Sequence, residues 1–128
     1  MTSQANKQFI REYLEALRKD KSPSTLDKYI SDEHLKQHIA MFEAALPGYW
    51  IEAADLIAED DRVAMRGIVH GVHKGSLMGI PATGKTITIQ GYLIYRIANN
   101  KIAEFWMLAD MPALFEQIGA VPAPASQS

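Results

Sequence analysis

The first third of the chain spaces its apolar side chains as amphipathic helices do. Over residues 4–19 the apolar positions lie four, one and three apart, at Phe9, Tyr13, Leu14 and Leu17, which is the stripe of one helix face. A second stripe, over residues 33–46, consists of Leu35, Ile39, Phe42 and Leu46. Between them Pro23 interrupts the first helix, and Ser24 or Thr25 is expected to cap a short second helix. Three helices are therefore predicted before Pro47-Gly48, which ends the third.

After residue 49 the apolar positions change to a period of two, which indicates strands. The predicted strands, in chain order, are residues 51–59, 62–73, 86–98 and 101–110. Asp60-Asp61 and Asn99-Asn100 join them in pairs, and these residue types tolerate the backbone of two-residue hairpin turns. A last short helix is predicted over residues 111–118. Helices followed by strands predict an α+β domain, with N-terminal helices packed on a strongly curved antiparallel sheet.

The Asn99-Asn100 turn sets a provisional register for the last two strands. It places Leu93 opposite Trp106 and Ile89 opposite Asp110, on one face of the sheet. Glu104 and Leu108 share that face, whereas the opposite face carries Gln90, Tyr92, Ile94, Phe105 and Met107. Both faces are apolar, so both need cover. The helices can cover one face, and a second copy of the protein is the expected cover of the other, which predicts a homodimer.

Composition narrows the class of protein. The chain has 128 residues, no cysteine and a formal net charge of −2, so disulfides, thiolate metal sites and nucleic-acid binding are not expected. The N-terminus lacks the pattern of a signal peptide, and no apolar run is long enough to span a membrane. These features predict a cytoplasmic protein without membrane contact. We expect a single domain over residues 1–119 and a disordered tail over residues 120–128.

One segment matches a nucleotide-binding motif by its letters alone. Residues 79–86 read Gly-Ile-Pro-Ala-Thr-Gly-Lys-Thr, which fits the phosphate-loop pattern. The chemistry of that motif requires a helix directly after it, whose N-terminus binds the phosphates. Because residues 87–95 are predicted to form a strand, we interpret the segment as a loop between two hairpins.

Two residues are candidates for acid/base chemistry. Asp110 ends an apolar strand, where a carboxyl could act as a general acid or base; alternatively it caps the final helix. His38 borders the apolar stripe of the third helix, where it either faces a pocket as a base or hydrogen-bond donor or is a partly exposed side chain. His34 shares a helix side with His38, but no third ligand accompanies the pair, so no metal site is expected.

The remaining candidates are side chains that could line a pocket for a small hydrophobic ligand. They are Tyr13, Phe42, Gln90, Tyr92 and Trp106. The apolar members of this set could equally be ordinary core residues. Gln90 is included as a hydrogen-bond donor in case the register differs from the provisional one. No cofactor is expected for this pocket.

Three segments carry a resemblance to a known family. These segments are Asp55-Leu-Ile-Ala-Glu-Asp-Asp-Arg-Val-Ala-Met-Arg66, residues 71–85 and Ile94-Tyr-Arg-Ile-Ala-Asn-Asn-Lys-Ile-Ala-Glu-Phe-Trp106. In this order they resemble the first hairpin, the following loop and the last hairpin of SnoaL-like polyketide cyclases. These proteins, also called ester cyclase-like, belong to the nuclear-transport-factor-2-like superfamily. The resemblance covers about residues 5–119. The family's usual Glu-His-Trp stands here as Glu104-Phe105-Trp106, so its histidine is missing.

The resemblance implies a cone-shaped α+β barrel with one internal cavity, commonly dimeric and without metal or cofactor. It further implies that Asp110 matches the acid/base aspartate of an aldol-type ring closure, and that His38 matches an early family histidine. The hypothesis is a cofactor-independent cyclase or isomerase acting on a small, mostly apolar carbonyl compound. Asp110→Asn should then abolish turnover. The alternatives are a non-catalytic module that binds a small hydrophobic ligand and a dimeric scaffold of the same fold.

Overall fold

A computed structural model of the protein describes residues 2–119. Three helices come first, α1 (Ser3–Lys19), α2 (Pro23–Tyr29) and α3 (Glu33–Ala45). Four strands and a short helix follow, β1 (Trp50–Glu59), β2 (Arg62–Val72), β3 (Thr86–Ala98), β4 (Lys101–Ala109) and α4 (Met111–Gln117). The predicted elements are thus confirmed to within about two residues at each end, which is the usual uncertainty of helix and strand boundaries. The predicted tail lies outside the described residues.

The strands form one antiparallel sheet in the order β1-β2-β3-β4. Both predicted hairpin turns are present, and they have the left-handed backbone that such turns need. Asn99 and Asn100 have φ of 53° and 61°, and Asp60 has φ of 54°. Within the first hairpin Asp55 faces Arg66, and their side chains form an ion pair of 2.7 Å. The α+β class with a curved antiparallel sheet is confirmed.

The predicted register of the last hairpin is wrong by one residue. Leu93 pairs with Met107, and Trp106 pairs with Ile94. The cause is a bulge in β4: Ile97 pairs with Ile102, but Arg96 already pairs with Glu104. Because side chains alternate between the two faces of a strand, one extra residue moves every later side chain of β4 to the opposite face.

The inner face of the sheet packs against the helices in two groups of buried residues. The larger group joins α1, α2 and α3 to the inner side chains of β2, β3 and β4; its fully buried members include Ile10, Ile30, Val63 and Ile102. The smaller group lies beside α4 and the loop before β3, around Leu46, Leu77, Ile87 and Leu114. Between the two groups the inner face is incompletely filled, and this gap is the candidate site.

Helix α2 begins slightly before its predicted caps, Ser24 and Thr25. Its N-cap is Ser22, with Pro23 in the first turn, and not Ser24 or Thr25. The carboxylate of Asp20 instead accepts hydrogen bonds from the backbone N–H of Ser22 and the hydroxyl of Thr25.

Across residues 2–119, no helix combines the length and the apolar character needed to cross a membrane.

Candidate functional site

A cavity lies between helices α1 and α3 and the inner face of the sheet. Its unfilled volume is about 50 Å³. The lining is mainly aromatic and aliphatic; its larger members are Tyr13, His38, Phe42, Tyr49, Tyr95 and Met107. Known ligand pockets are commonly about 300–1,000 Å³. The described conformation is therefore a closed one, and a substrate of more than a few atoms has to displace side chains in order to enter.

Three tyrosine hydroxyls are the buried hydrogen-bonding groups of the cavity. Burial raises the pKa of Tyr13, with the neighbouring Tyr95 and Tyr49 hydroxyls adding to the effect. Burial also raises the pKa of Tyr49 and of Tyr95. The rings of Tyr13 and Tyr95 are 5.9 Å apart, edge to face. All three hydroxyls are consequently neutral at physiological pH and can donate a hydrogen bond to a ligand oxygen.

His38 brings an imidazole to the same cavity from helix α3. Its ring centroid lies 4.6 Å from that of Phe42 and 6.1 Å from that of Phe105. Burial lowers the pKa of the imidazole from its ordinary value of 6.5, because the charged form is poorly solvated there. At neutral pH the ring is uncharged, so it can accept a proton. The side chain of His38 thus lines the cavity and is at the same time partly exposed.

Asp110 lies at the end of β4 and is exposed to solvent. Its carboxylate accepts the backbone N–H of Ala113 at 3.1 Å, as the N-cap of α4. Its own N–H donates to the carbonyl of Gln90 at 3.0 Å. Of the two alternatives left open by the sequence, the structure therefore shows helix capping. The neighbouring Ala109 lines the cavity, whereas the Asp110 side chain is not part of the lining.

The predicted pocket residues divide between the two faces of the sheet. Tyr13 and Phe42 line the cavity, together with His38. Tyr92 and Trp106 lie instead on the outer face, where both are exposed. Gln90 is exposed as well, and its side chain accepts a hydrogen bond from Arg66 at 3.2 Å. The bulge in β4 is the reason for the position of Trp106, since it turns that side chain away from the helices.

Sequence reasoning missed two of the three tyrosines. Tyr95 shares its face with Leu93 at the period of two, and this spacing could have identified it as inward-facing. Tyr49 follows the Pro47-Gly48 helix stop directly, and no periodicity reaches it from either side. Its contribution to the cavity depends on how the chain turns from α3 into β1, which is a tertiary feature.

The segment that resembles a phosphate loop has a structural role. Strand β3 begins at Thr86, so the predicted strand after the motif is confirmed and takes the place of the required helix. His73 is fully buried at the start of this loop. Its Nδ1 accepts the backbone N–H of Thr83 at 3.3 Å, and its backbone N–H donates to Lys85 at 2.9 Å. These bonds join the two ends of the loop.

No group of three or more His, Asp or Glu side chains is arranged to hold a metal ion in the part of the chain that the structure describes. The polar groups of the candidate site are the imidazole of His38 and the phenols of Tyr13, Tyr49 and Tyr95, in an otherwise apolar cavity. These groups can move a proton and stabilise a developing oxyanion.

Comparison with known proteins identifies the family. The model of the SnoaL-like polyketide cyclase family matches residues 2–118, nearly the whole chain, and the chain therefore belongs to this family. No curated protein matches the sequence significantly.

Solved structures of similar fold include several bacterial proteins. AclR of Streptomyces galilaeus, a candidate hydroxylase, superposes with a TM-score of 0.81 at 22% identity, covering 94% of this chain and 85% of AclR. TsrD of Streptomyces laurentii gives 0.81 at 22% identity, with 94% and 100% covered. A SnoaL-like polyketide cyclase of Agrobacterium tumefaciens gives 0.76 at 20% identity, with 93% and 100% covered. At these identities the similarity establishes the cone fold alone.

Proposed function

We propose that the protein is a cofactor-independent acid/base enzyme of the cyclase or isomerase type. Its substrate is a small, mostly apolar carbonyl compound bound in the cavity between α1, α3 and the sheet. The observation that carries the proposal is the position of His38, an uncharged imidazole in a cavity whose buried polar groups are neutral phenols. Membership of the SnoaL-like polyketide cyclase family supports the same type of reaction.

The proposed reaction begins with proton removal next to the substrate carbonyl. A nitrogen of His38 accepts the α-proton, and the electron pair of the broken C–H bond forms an enolate. A hydroxyl of Tyr13, Tyr49 or Tyr95 donates a hydrogen bond to the enolate oxygen. In a cyclase the enolate carbon then attacks a second carbonyl of the same molecule, and the new alkoxide takes the proton back from His38. In an isomerase the proton returns to a different carbon.

Proton exchange tests this proposal without knowledge of the natural substrate. We expect the wild-type protein to accelerate deuterium incorporation into the methyl group of acetophenone in D2O, followed by proton NMR. Because His38 must be uncharged and its pKa is lowered, the exchange rate should fall only at pH values below 6.5 and remain constant above them. Binding of acetophenone without accelerated exchange would identify a non-catalytic ligand-binding module instead.

Asp110 serves in this proposal as a helix cap and not as the acid/base group. Asp110→Ala should therefore lower the free energy of unfolding by about 1 kcal/mol, the usual cost of a lost N-cap, as measured by urea titration. Asp110→Asn is the matched control, because asparagine caps helices as well as aspartate does. Both variants should retain exchange activity. Loss of exchange in both variants, with stability retained in Asp110→Asn, would return the catalytic role to Asp110.

We also propose that the protein forms a homodimer through the outer face of the sheet. This face exposes apolar side chains from β1, β3 and β4, namely Ile57, Tyr92, Ile94, Trp106 and Leu108. The ion pairs Arg66–Asp55 and Arg96–Glu104 lie on the same face. A surface that is apolar at its centre and carries both signs of charge is complementary to its own copy across a two-fold axis.

A further inference from the structure

A row of four small residues crosses the inner face of the sheet beneath the cavity. Ala53 of β1 pairs with Gly67 of β2, Gly67 pairs with Gly91 of β3, and Gly91 pairs with Ala109 of β4. We call these four residues the small-residue row. Three of them, Gly67, Gly91 and Ala109, line the cavity. The row therefore forms a floor at the level of the backbone, whereas the inward positions on either side of it in β3, Ile89 and Leu93, carry large buried side chains.

Neither a left-handed backbone nor a steric clash requires the glycine at position 91. The backbone of Gly91 lies outside the left-handed region, and the atoms nearest to a Cβ placed there would belong to Ala109 and Leu108, at 3.6–3.7 Å, which is ordinary contact. Gly67 differs, since a Cβ there would lie 3.0 Å from Ile51 and 3.2 Å from Met65. A glycine inside a strand is destabilising, and it commonly serves a bulge, a tight bend of the sheet or the close approach of a ligand. Gly91 belongs to the cavity lining, which favours the last of these.

A second observation indicates a ligand above this floor. Tyr13 is 2% exposed and Tyr95 is 1% exposed, and both line the cavity. Burial and neighbouring tyrosine hydroxyls raise the pKa of both groups, with no hydrogen bond from residues 2–119 contributing to either shift. Buried hydroxyls normally have a partner, so these two have hydrogen-bonding capacity left for a molecule in the cavity. On the side opposite the floor, the rings of His38 and Phe42 complete an aromatic wall.

We infer that Gly91 is a specificity-determining residue, whose missing side chain lets a flat ring lie on the small-residue row and excludes a puckered one. The inference rests on the proposed function, because it concerns the same cavity and takes the ligand to be a carbonyl compound. A flat ring placed on the backbone floor is covered on its other face by the rings from α3. A puckered ring is thicker, so it would force α3 further from the sheet. A methyl group at position 91 would have the same effect.

Two ketones of the same carbonyl chemistry but different ring shape provide the probes. Acetophenone has a flat ring, and cyclohexyl methyl ketone has a puckered one. Their dissociation constants are measured by NMR titration of the wild-type protein, Gly91→Ala and Thr88→Val. Thr88→Val is the matched control, since it makes a similarly small change in β3 at an exposed position on the opposite face. Thermal unfolding of each variant is recorded in parallel.

Acetophenone should bind the wild type about tenfold or more tightly than cyclohexyl methyl ketone, and Gly91→Ala should weaken acetophenone binding by about tenfold or more. The melting temperature of Gly91→Ala should be unchanged or raised, and Thr88→Val should keep the wild-type affinity. Equal affinity for the two ketones, no binding of either, or undiminished acetophenone binding by Gly91→Ala would overturn the inference. A large fall in the melting temperature of Gly91→Ala would also overturn the inference, because Gly91 would then be required for the curvature of the sheet.

This experiment separates the inference from the proposed function, because it measures binding and requires no turnover. Flat-ring preference that depends on Gly91, without α-proton exchange, would overturn the proposed catalysis and leave the role of Gly91 intact. Exchange that depends on His38, together with acetophenone binding that does not depend on Gly91, would support the proposed catalysis and overturn the role of Gly91.

Discussion

Replacing His38 by glutamine is expected to reduce the exchange of α-protons in acetophenone by about 10²- to 10⁴-fold, the usual contribution of a general base. Glutamine has a similar size and keeps a hydrogen-bonding group at the cavity wall, but it cannot accept a proton at neutral pH. The dissociation constant of acetophenone should therefore change by no more than a few fold. Exchange rates and binding are both measured by NMR on the same samples.

The matched control for this prediction is His34→Gln. His34 lies on the same helix, and its side chain is 89% exposed, so this variant should exchange protons at the wild-type rate. Equal losses in His34→Gln and His38→Gln would indicate damage to α3 and not the removal of a base. Full activity of His38→Gln would contradict the proposed mechanism directly. The cavity would then have to use a different proton acceptor, or none.

Replacing Leu108 by glutamate is expected to convert the proposed dimer to a monomer. Leu108 is 77% exposed in the single chain, and it lies among the apolar side chains of the outer sheet face. A carboxylate buried there without a partner would weaken association by about 2–5 kcal/mol, roughly 30- to several-thousand-fold in Kd. The two-fold axis repeats the substitution in the partner, which adds to the loss. Sedimentation velocity over a range of protein concentrations measures the change.

Met41→Glu is the control for an added charge on exposed apolar surface. Met41 is 45% exposed on α3, away from the outer face of the sheet, so this variant should remain dimeric. Circular dichroism of both variants establishes that they are folded. A wild-type protein that sediments as a monomer at all concentrations would contradict the proposed interface, as would a dimeric Leu108→Glu.

Local features of the sequence predicted the elements and the fold class. The stripe Leu35, Ile39 and Phe42 identified α3 because a helix repeats every 3.6 residues and needs one apolar face. Asn99-Asn100 located a hairpin, since asparagine tolerates the left-handed backbone of a tight turn. These signals depend only on residues close together in the chain, and the structure confirms them.

Which side chains of β4 face the cavity depended on a feature that leaves no local signal in the sequence. The bulge in β4 leaves the pattern of apolar and polar residues almost unchanged, because both faces of that strand are apolar. The sequence alone therefore could not decide whether Trp106 or Met107 faces the helices. The same shift changed the predicted pocket, since it put Trp106 and Leu108 on the outer face and turned Phe105 and Met107 toward the helices.

The sequence by itself determined that the chain forms an α+β domain with a curved antiparallel sheet, and it identified His38, Tyr13 and Phe42 as candidates. Only the tertiary structure decided that these three meet in one cavity, that Tyr49 and Tyr95 join them, and that the Asp110 side chain caps α4. The physical reason is the separation along the chain of the residues that determine each feature. Periodicity and turn chemistry act over a few residues, whereas a strand register and a cavity arise from side chains far apart in the chain.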